Sequence, residues 1–198
     1  MRYIDHHRFR RGMLVGAVSM AMGVLTGATV AYAGPGVDCV AGAGVTQTDT
    51  TVTGTTGNDT IDCGGASPGK TIIGDVGNDT ITGTDLADTI SGGEGNDTMT
   101  GSAGNDSLDG GDGDDTVTGS EGNDILSGVG GDDTLAGGAG DDLLDGGSGT
   151  DTLNGDAGDD TLTGAPDDGS VDTVNGGLGT DACQGPAPDG DILTGCNT

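Results

Sequence analysis

A nine-residue period dominates this sequence. Between Gly74 and Thr163 the chain forms ten consecutive units of nine residues without a change of register. Units such as GGEGNDTMT (92–100) and GSAGNDSLD (101–109) show the shared pattern, with Gly at positions 1 and 4, Asn or Asp at 5, Asp at 6 and an aliphatic residue at 8. A short fixed period indicates a repeat architecture in which each unit packs on its neighbours.

Each unit divides into a turn and a strand. Positions 1–6 are rich in Gly, Asn and Asp, which tolerate the tight conformations of turns. Positions 7–9 predict a three-residue strand with its middle side chain directed inward. Alternating turns and strands predict an all-β fold, a flattened solenoid with two units in each coil of 18 residues. The predicted inward residues are Ile81, Ile90, Met99, Leu108, Val117, Leu126, Leu135, Leu144, Leu153 and Leu162.

The regular units lie inside a longer repeat region. We expect this region to cover 54–194, with 74–163 its most regular part, and 195–198 to form the C-terminal end. Residues 34–53 lack the repeat and predict an N-terminal cap, which a solenoid needs over its open end. An eleven-residue segment, 63–73, departs from the pattern, and Lys70 occupies the position-6 slot there.

The first 33 residues have the features of a secretory signal peptide. Arg8, Arg10 and Arg11 supply positive charge, an apolar segment follows from Gly12, and Ala31-Tyr32-Ala33 forms an A-x-A cleavage motif. The alternative, a membrane anchor, is disfavoured because the segment is rich in small residues and ends in that motif. We therefore expect a secreted, extracellular protein. The arginine pair leaves both the general and the twin-arginine export routes open.

The charge of the chain excludes several classes of partner. The sequence has 33 acidic and 5 basic residues, and Lys70 is the only basic residue after Arg11. Nucleic acids require Lys and Arg for their phosphates, and anionic membrane surfaces require them as well, so neither is an expected partner. Cations are the partners that such a chain attracts.

The position-6 carboxylates indicate which cation. In the predicted solenoid they stack from coil to coil, and like charges this close repel unless a cation lies between them. Calcium takes six to eight oxygen ligands from carboxylates and carbonyls in flexible geometry. Magnesium prefers a tighter octahedron, and zinc prefers His and Cys ligands. Multiple Ca²⁺ ions are therefore the expected cofactors.

The units resemble a known family. GGEGNDTMT and GGAGDDLLD are similar to the RTX, or haemolysin-type, repeat G-G-x-G-x-D-x-U-x over roughly 54–194. The resemblance implies a parallel β-roll in which position-6 Asp and turn carbonyls hold Ca²⁺ between stacked turns. The implied metal ligands are Asp59, Asp79, Asp88, Asp97, Asp106, Asp115, Asp124, Asp133, Asp142, Asp151, Asp160, Asp172, Asp181 and Asp191.

The four cysteines lie near the two ends of the repeat region. Three pairings are conceivable, and four free thiols are the alternative. Because a stiff rod keeps its ends apart, we expect Cys39–Cys63 and Cys183–Cys196 bonds, each closing a cap.

Catalysis is not expected. After residue 33 the chain has no His and no aromatic residue, so it lacks the usual bases and sugar-stacking platforms; a carboxylate-based hydrolase is the less favoured alternative. We expect a calcium-binding protein with a structural, adhesive or surface-matrix role and an extracellular matrix or surface ligand. A second alternative is binding of ice, mineral or polysaccharide by an outward column of Thr80, Thr98, Thr116, Thr134 and Thr152, which are 18 residues apart.

Overall fold

A computed structural model describes residues 39–164, 169–184 and 190–197. The predicted signal peptide, 1–33, lies outside these residues. The described residues form β1 (Val40–Ala41), β2 (Thr46–Gln47), β3 (Thr51–Thr53), β4 (Thr60–Asp62), β5 (Thr71–Val76), β6 (Thr80–Thr82), β7 (Thr89–Glu94), β8 (Thr98–Ala103), β9 (Ser107–Asp112), β10 (Thr116–Glu121), β11 (Ile125–Gly130), β12 (Thr134–Ala139), β13 (Leu143–Ser148), β14 (Thr152–Ala157), β15 (Thr161–Thr163), β16 (Thr173–Asn175), β17 (Ala182–Gln184) and β18 (Ile192–Thr194).

The strands form two sheets that alternate along the chain. Sheet A has the order β1-β4-β6-β8-β10-β12-β14-β16-β18, and sheet B has the order β17-β15-β13-β11-β9-β7-β5-β3-β2. Neighbouring strands of the regular region are parallel and 18 residues apart, as in the pairing of Thr98 with Thr116 and of Ile125 with Leu143. The predicted parallel solenoid of 18-residue coils is confirmed.

The core lies between the two sheets. All ten predicted inward residues of the regular units are buried, with at most 2 % of their surface exposed. Val52, Ile61, Ile72 and Val174 continue the same rows toward the two ends. One aliphatic side chain per unit therefore supplies most of the apolar interior.

The strands are longer than the three residues predicted. Most strands between 71 and 157 have six residues, because positions 1–3 of the next unit continue the ladder: Ser102 pairs with Ser120 and Ala103 with Glu121. Turn residues at these positions do not end the strand, since every coil repeats the same backbone bend and hydrogen bonding between coils is preserved. The turn is thus confined to positions 4–6.

Within each six-residue strand the backbone bends at position 2, where most described units have a left-handed conformation. Glycine accepts this conformation without steric cost, as at Gly111 (φ 106°), but Val129 adopts it too (φ 81°). A β-branched residue at positive φ is a steric outlier. The stacking of identical coils therefore imposes the bend even where the side chain opposes it.

A disulfide bond lies near each end of the described solenoid. The two predicted disulfides, Cys39–Cys63 and Cys183–Cys196, are present. At the N-terminal end β1 and β2 pair antiparallel with β4 and β3, which separates them from the parallel coils. Strand β3, within the expected cap, already pairs in parallel with β5.

The outer faces of the sheets differ. On sheet A a column of seven threonines runs in register through Thr60, Thr80, Thr98, Thr116, Thr134, Thr152 and Thr173. On sheet B the column is interrupted by Ile125 and Leu143, which are 52 % and 44 % exposed and pair with each other. Among the described residues no helix has the length and apolar character to cross a bilayer.

Candidate metal centre

The position-6 residues form two rows, one beside each sheet. Each of these residues directly precedes a strand, so the parallel register of the sheets stacks them coil on coil. Row A consists of Asp59, Asp79, Asp97, Asp115, Asp133, Asp151, Asp172 and Asp191. Row B consists of Lys70, Asp88, Asp106, Asp124, Asp142, Asp160 and Asp181.

One hydrogen bond joins each step of a row. The backbone N–H of Asp97 donates to Oδ1 of Asp115 at 2.7 Å, and that of Asp106 donates to Oδ1 of Asp124 at 2.8 Å. The rows continue past the longer unit that starts at Gly164, since the N–H of Asp151 donates to Oδ1 of Asp172 at 2.9 Å. All fourteen sequence-predicted aspartates therefore lie in these two rows. All are buried except Asp191, which is half-buried.

The second carboxylate oxygen of many of these aspartates has no donor. Eight Oδ2 atoms are buried and accept no hydrogen bond within the described residues. Each faces the position-1 glycine of its own unit, where a side chain would collide with it; a Cβ on Gly92 would overlap Oδ2 of Asp97 and lie 2.6 Å from the carbonyl oxygen of Gly110. The eight belong to Asp79, Asp97, Asp106, Asp115, Asp124, Asp133, Asp142 and Asp160.

Burial makes these carboxylates hard to ionise. Desolvation is the largest cause of a raised pKa at all eight, opposed by the backbone N–H that each accepts. It raises the pKa of Asp115 to about 7 and the pKa values of Asp106 and Asp142 to about 6. The charges of Asp133 and Asp97 are smaller causes of this raised pKa of Asp115. Such groups favour a bound proton or a bound cation.

The donor set fits calcium. No three His, Cys, Asp or Glu side chains converge within the described residues. Beside the donor-free oxygen there is instead a backbone carbonyl, as the carbonyl of Gly110 lies beside Oδ2 of Asp97. An unpaired carboxylate oxygen beside a glycine carbonyl of the next coil is an all-oxygen arrangement, which calcium prefers, whereas zinc prefers His and Cys ligands. The residues that would hold the ion are the position-6 aspartates together with the position-1 glycine carbonyls.

An exposed row of hydrogen bonds flanks each of the two rows, and these exposed rows were not predicted. At position 5 the backbone N–H of Asp132 donates to Oδ1 of Asp114 at 3.0 Å, and that of Asp159 donates to Oδ1 of Asp141 at 2.9 Å. Asn123 and Asn105 make the same contact at 3.0 Å. The recurrence of Asn or Asp at position 5 was visible in the sequence, where it indicated only a turn. These side chains fix the spacing of the turns.

Three residues near the N-terminal end differ from the other members of the two rows. Oδ2 of Asp59 accepts hydrogen bonds from the backbone N–H and hydroxyl of Thr55, and Oδ2 of Asp88 accepts the backbone N–H of Thr84. Lys70 is buried, with 3 % of its surface exposed, and occupies a slot in row B. The sequence singled out Lys70, whereas the two threonines were missed; the signal was Thr at position 2 of their units.

Comparison with known proteins agrees with this geometry. The sequence profile described as RTX calcium-binding nonapeptide repeat (4 copies) matches residues 46–65, 73–108, 82–117, 91–126, 127–162 and 145–183. No curated protein matches the chain as a relative. The profile covers more than half of the chain, in the same residues that form the stacked coils. The chain therefore belongs to the family of RTX calcium-binding nonapeptide repeats.

Proposed function

We propose that this chain is a secreted, extracellular calcium-binding protein that folds on Ca²⁺ and serves a structural, adhesive or surface-matrix role. The observation that supports it most directly is the set of eight buried carboxylate oxygens without a donor. A buried, unpaired charge is costly unless a counter-ion compensates it. The described residues contain one basic side chain, Lys70, so the compensating charge has to come from outside these residues, and a bound cation supplies it.

The narrow core makes the fold depend on that ion. One buried aliphatic side chain per nine residues is too little apolar burial to offset the backbone entropy that nine residues lose on folding. An ion that binds only the folded chain adds its binding free energy to stability. The proposed position-6 ligands are therefore also the residues on which folding depends.

An extracellular location and a non-catalytic role fit the same chain. The A-x-A motif at Ala31–Ala33 supports export. Both disulfides support it too, because disulfides persist in oxidising compartments such as the cell exterior. For extracellular calcium-binding modules, an affinity of about millimolar suffices. After residue 33 there is no His to act as a base near neutral pH. A scaffold that is extended, acidic and stiffened by calcium fits an adhesive or matrix component.

Circular dichroism in calcium and in a chelator tests the folding proposal. We expect strand signal in calcium, its loss in chelator, and recovery when calcium is restored. Magnesium at the same concentration is the control, and it should not restore the signal because it demands a tighter octahedral geometry. Equal strand signal in calcium and chelator would contradict the proposal.

The threonine column on sheet A favours a second candidate, binding of ice, mineral or polysaccharide by that face. Seven exposed hydroxyl-bearing side chains in one register form a repetitive array. Replacing Thr98 and Thr116 by Val removes hydroxyls while keeping the side-chain shape. We expect adsorption to one of these three surfaces, measured with calcium bound, to fall. The matched control replaces Thr71 and Thr89 on sheet B; an equal loss in both variants would exclude a specific sheet A surface.

A further inference from the structure

The N-terminal ends of both rows are supplied with donors by the chain itself. In row A the N–H and hydroxyl of Thr55 donate to Oδ2 of Asp59 at 2.6 and 2.9 Å. In row B the N–H of Thr84 donates to Oδ2 of Asp88 at 2.5 Å, and its hydroxyl lies 3.1 Å from Oδ1. Thr84 has no exposed surface. Neither Asp59 nor Asp88 keeps a donor-free buried oxygen, in contrast to the eight aspartates described above.

The backbone at position 2 explains this contrast. In the described units that carry the eight donor-free oxygens, the position-2 residue has positive φ, for example Asp75 (86°), Ser102 (91°) and Ser120 (95°). Thr55 and Thr84 are not among the positive-φ residues, and their N–H groups turn toward the carboxylate instead. One backbone conformation therefore leaves an oxygen open to a cation, and the other closes the same place with a hydrogen bond.

Lys70 supplies the missing charge at the start of row B. Its backbone N–H donates to Oδ1 of Asp88, as the N–H of an aspartate would at this position. Its ammonium group reaches back one coil and donates to the backbone carbonyl of Asp49. A turn carbonyl is also a ligand that calcium prefers, so the ammonium makes a cation–carbonyl contact where other coils have an aspartate.

We propose that residues 39–73, closed by the turn 83–88, form a calcium-independent base on which the calcium-dependent coils assemble toward the C terminus. Thr55, Lys70 and Thr84 replace the metal in this base. Val52, Ile61 and Ile72 form its core, and the Cys39–Cys63 bond with β1 and β2 closes its end. The inference rests on the proposed function, because it presumes that the remaining coils require calcium.

Hydrogen exchange measured by mass spectrometry on the full chain with both disulfides intact tests the base. In calcium-free buffer we expect amides in 51–73 to exchange at least about tenfold more slowly than amides in 92–163, since local stability sets exchange rates. In saturating calcium both segments should be protected. Equal exchange of the two segments without calcium, with calcium still protecting both, would overturn the base and leave the proposed function intact. No protection of 92–163 by calcium would overturn the proposed function instead.

Two variants test the residues that replace the metal. Lys70→Asp restores the repeat pattern, so we expect loss of the calcium-free protection in 51–73 and about one more calcium bound per chain by calorimetry. Thr84→Gly leaves Lys70 in place, and we expect it to remove the protection as well. Ile73→Asp is the control, because it adds a carboxylate at an outward position where Asp109 and Asp145 occur naturally. We expect Ile73→Asp to keep the calcium-free protection of 51–73. If Lys70→Asp and Thr84→Gly also kept it, the assigned roles would be contradicted.

Discussion

Replacing Asp115 by Asn is expected to destabilise the chain in calcium and to stabilise it without calcium. Asp115 is buried, its Oδ1 accepts the N–H of Asp97 at 2.7 Å, and its Oδ2 has no donor. An asparagine keeps the acceptor, removes the charge, and places an amide group on the side of Gly110 where the carbonyl of Gly128 lies. Without calcium the substitution removes a buried unpaired charge, whereas with calcium it removes a ligand.

Two measurements separate these opposite effects. Losing an outer hydrogen-bond partner of a metal ligand commonly costs 10–100-fold in affinity, so losing the ligand itself should raise the calcium concentration at half-folding by at least about tenfold. In calcium-free buffer the residual strand signal should change in the opposite direction and be higher than in the unsubstituted chain. Asp109→Asn is the matched control, because it removes the same charge from an exposed position on sheet B and should have little effect in either condition. Destabilisation of Asp115→Asn in both conditions would show that its charge has a partner within the chain.

The pH dependence of the unsubstituted chain gives an independent check of the same argument. Burial raises the pKa of Asp115 to about 7 in the folded chain from an ordinary value of 3.8. The folded chain then binds this proton more tightly than the unfolded one. The contribution of Asp115 to metal-free stability is therefore fully present below pH 3.8 and is lost as the pH rises through about 7. Residual strand signal without calcium should therefore be higher at pH 5 than at pH 8. In limiting calcium the trend should reverse, because protons compete with calcium for the same oxygens.

Much of the fold followed from the period alone. Aliphatic residues at every ninth position can all point into one interior only if the chain coils regularly. The burial of the position-8 residues from Ile81 to Leu162 follows from that. Stacking of the position-6 aspartates is a consequence of the same register. The disulfides could be predicted because the rod separates Cys39 and Cys63 from Cys183 and Cys196.

Other features depend on pairing between coils and were not visible within a single unit. The six-residue strands arise because Gly-rich positions 1–3 also hydrogen-bond to the next coil, which turn propensity did not indicate. The donor roles of Thr55 and Thr84 depend on one backbone torsion, and Val129 shows that residue type alone does not set that torsion. The local sequence thus specified which residues stack, while the stacked coils decided how each backbone turn is oriented.

Leu126→Ala is expected to lower the free energy of unfolding in saturating calcium by about 2–5 kcal/mol. Leu126 is 1 % exposed and lies in register between Leu108 and Leu144, so its truncation leaves a cavity in a row only one side chain wide. Neighbouring coils cannot close this cavity readily, because their spacing is fixed by hydrogen bonds on both sides. Urea unfolding monitored by circular dichroism measures the loss.

Ile125→Ala is the matched control, since it removes the same number of carbon atoms from the preceding residue of the same strand. Ile125 is 52 % exposed, so its truncation should cost less than about 1 kcal/mol.

Because each coil contacts only its neighbours, the cavity at Leu126 should also weaken the coupling between the two halves of the solenoid, and a single unfolding transition should broaden or divide. Equal losses in the two variants would mean that Ile125 is covered in solution. The apolar pair of Ile125 and Leu143 would then be a contact surface, and the dependence of Ile125→Ala stability on protein concentration would show whether a second copy of the chain covers it.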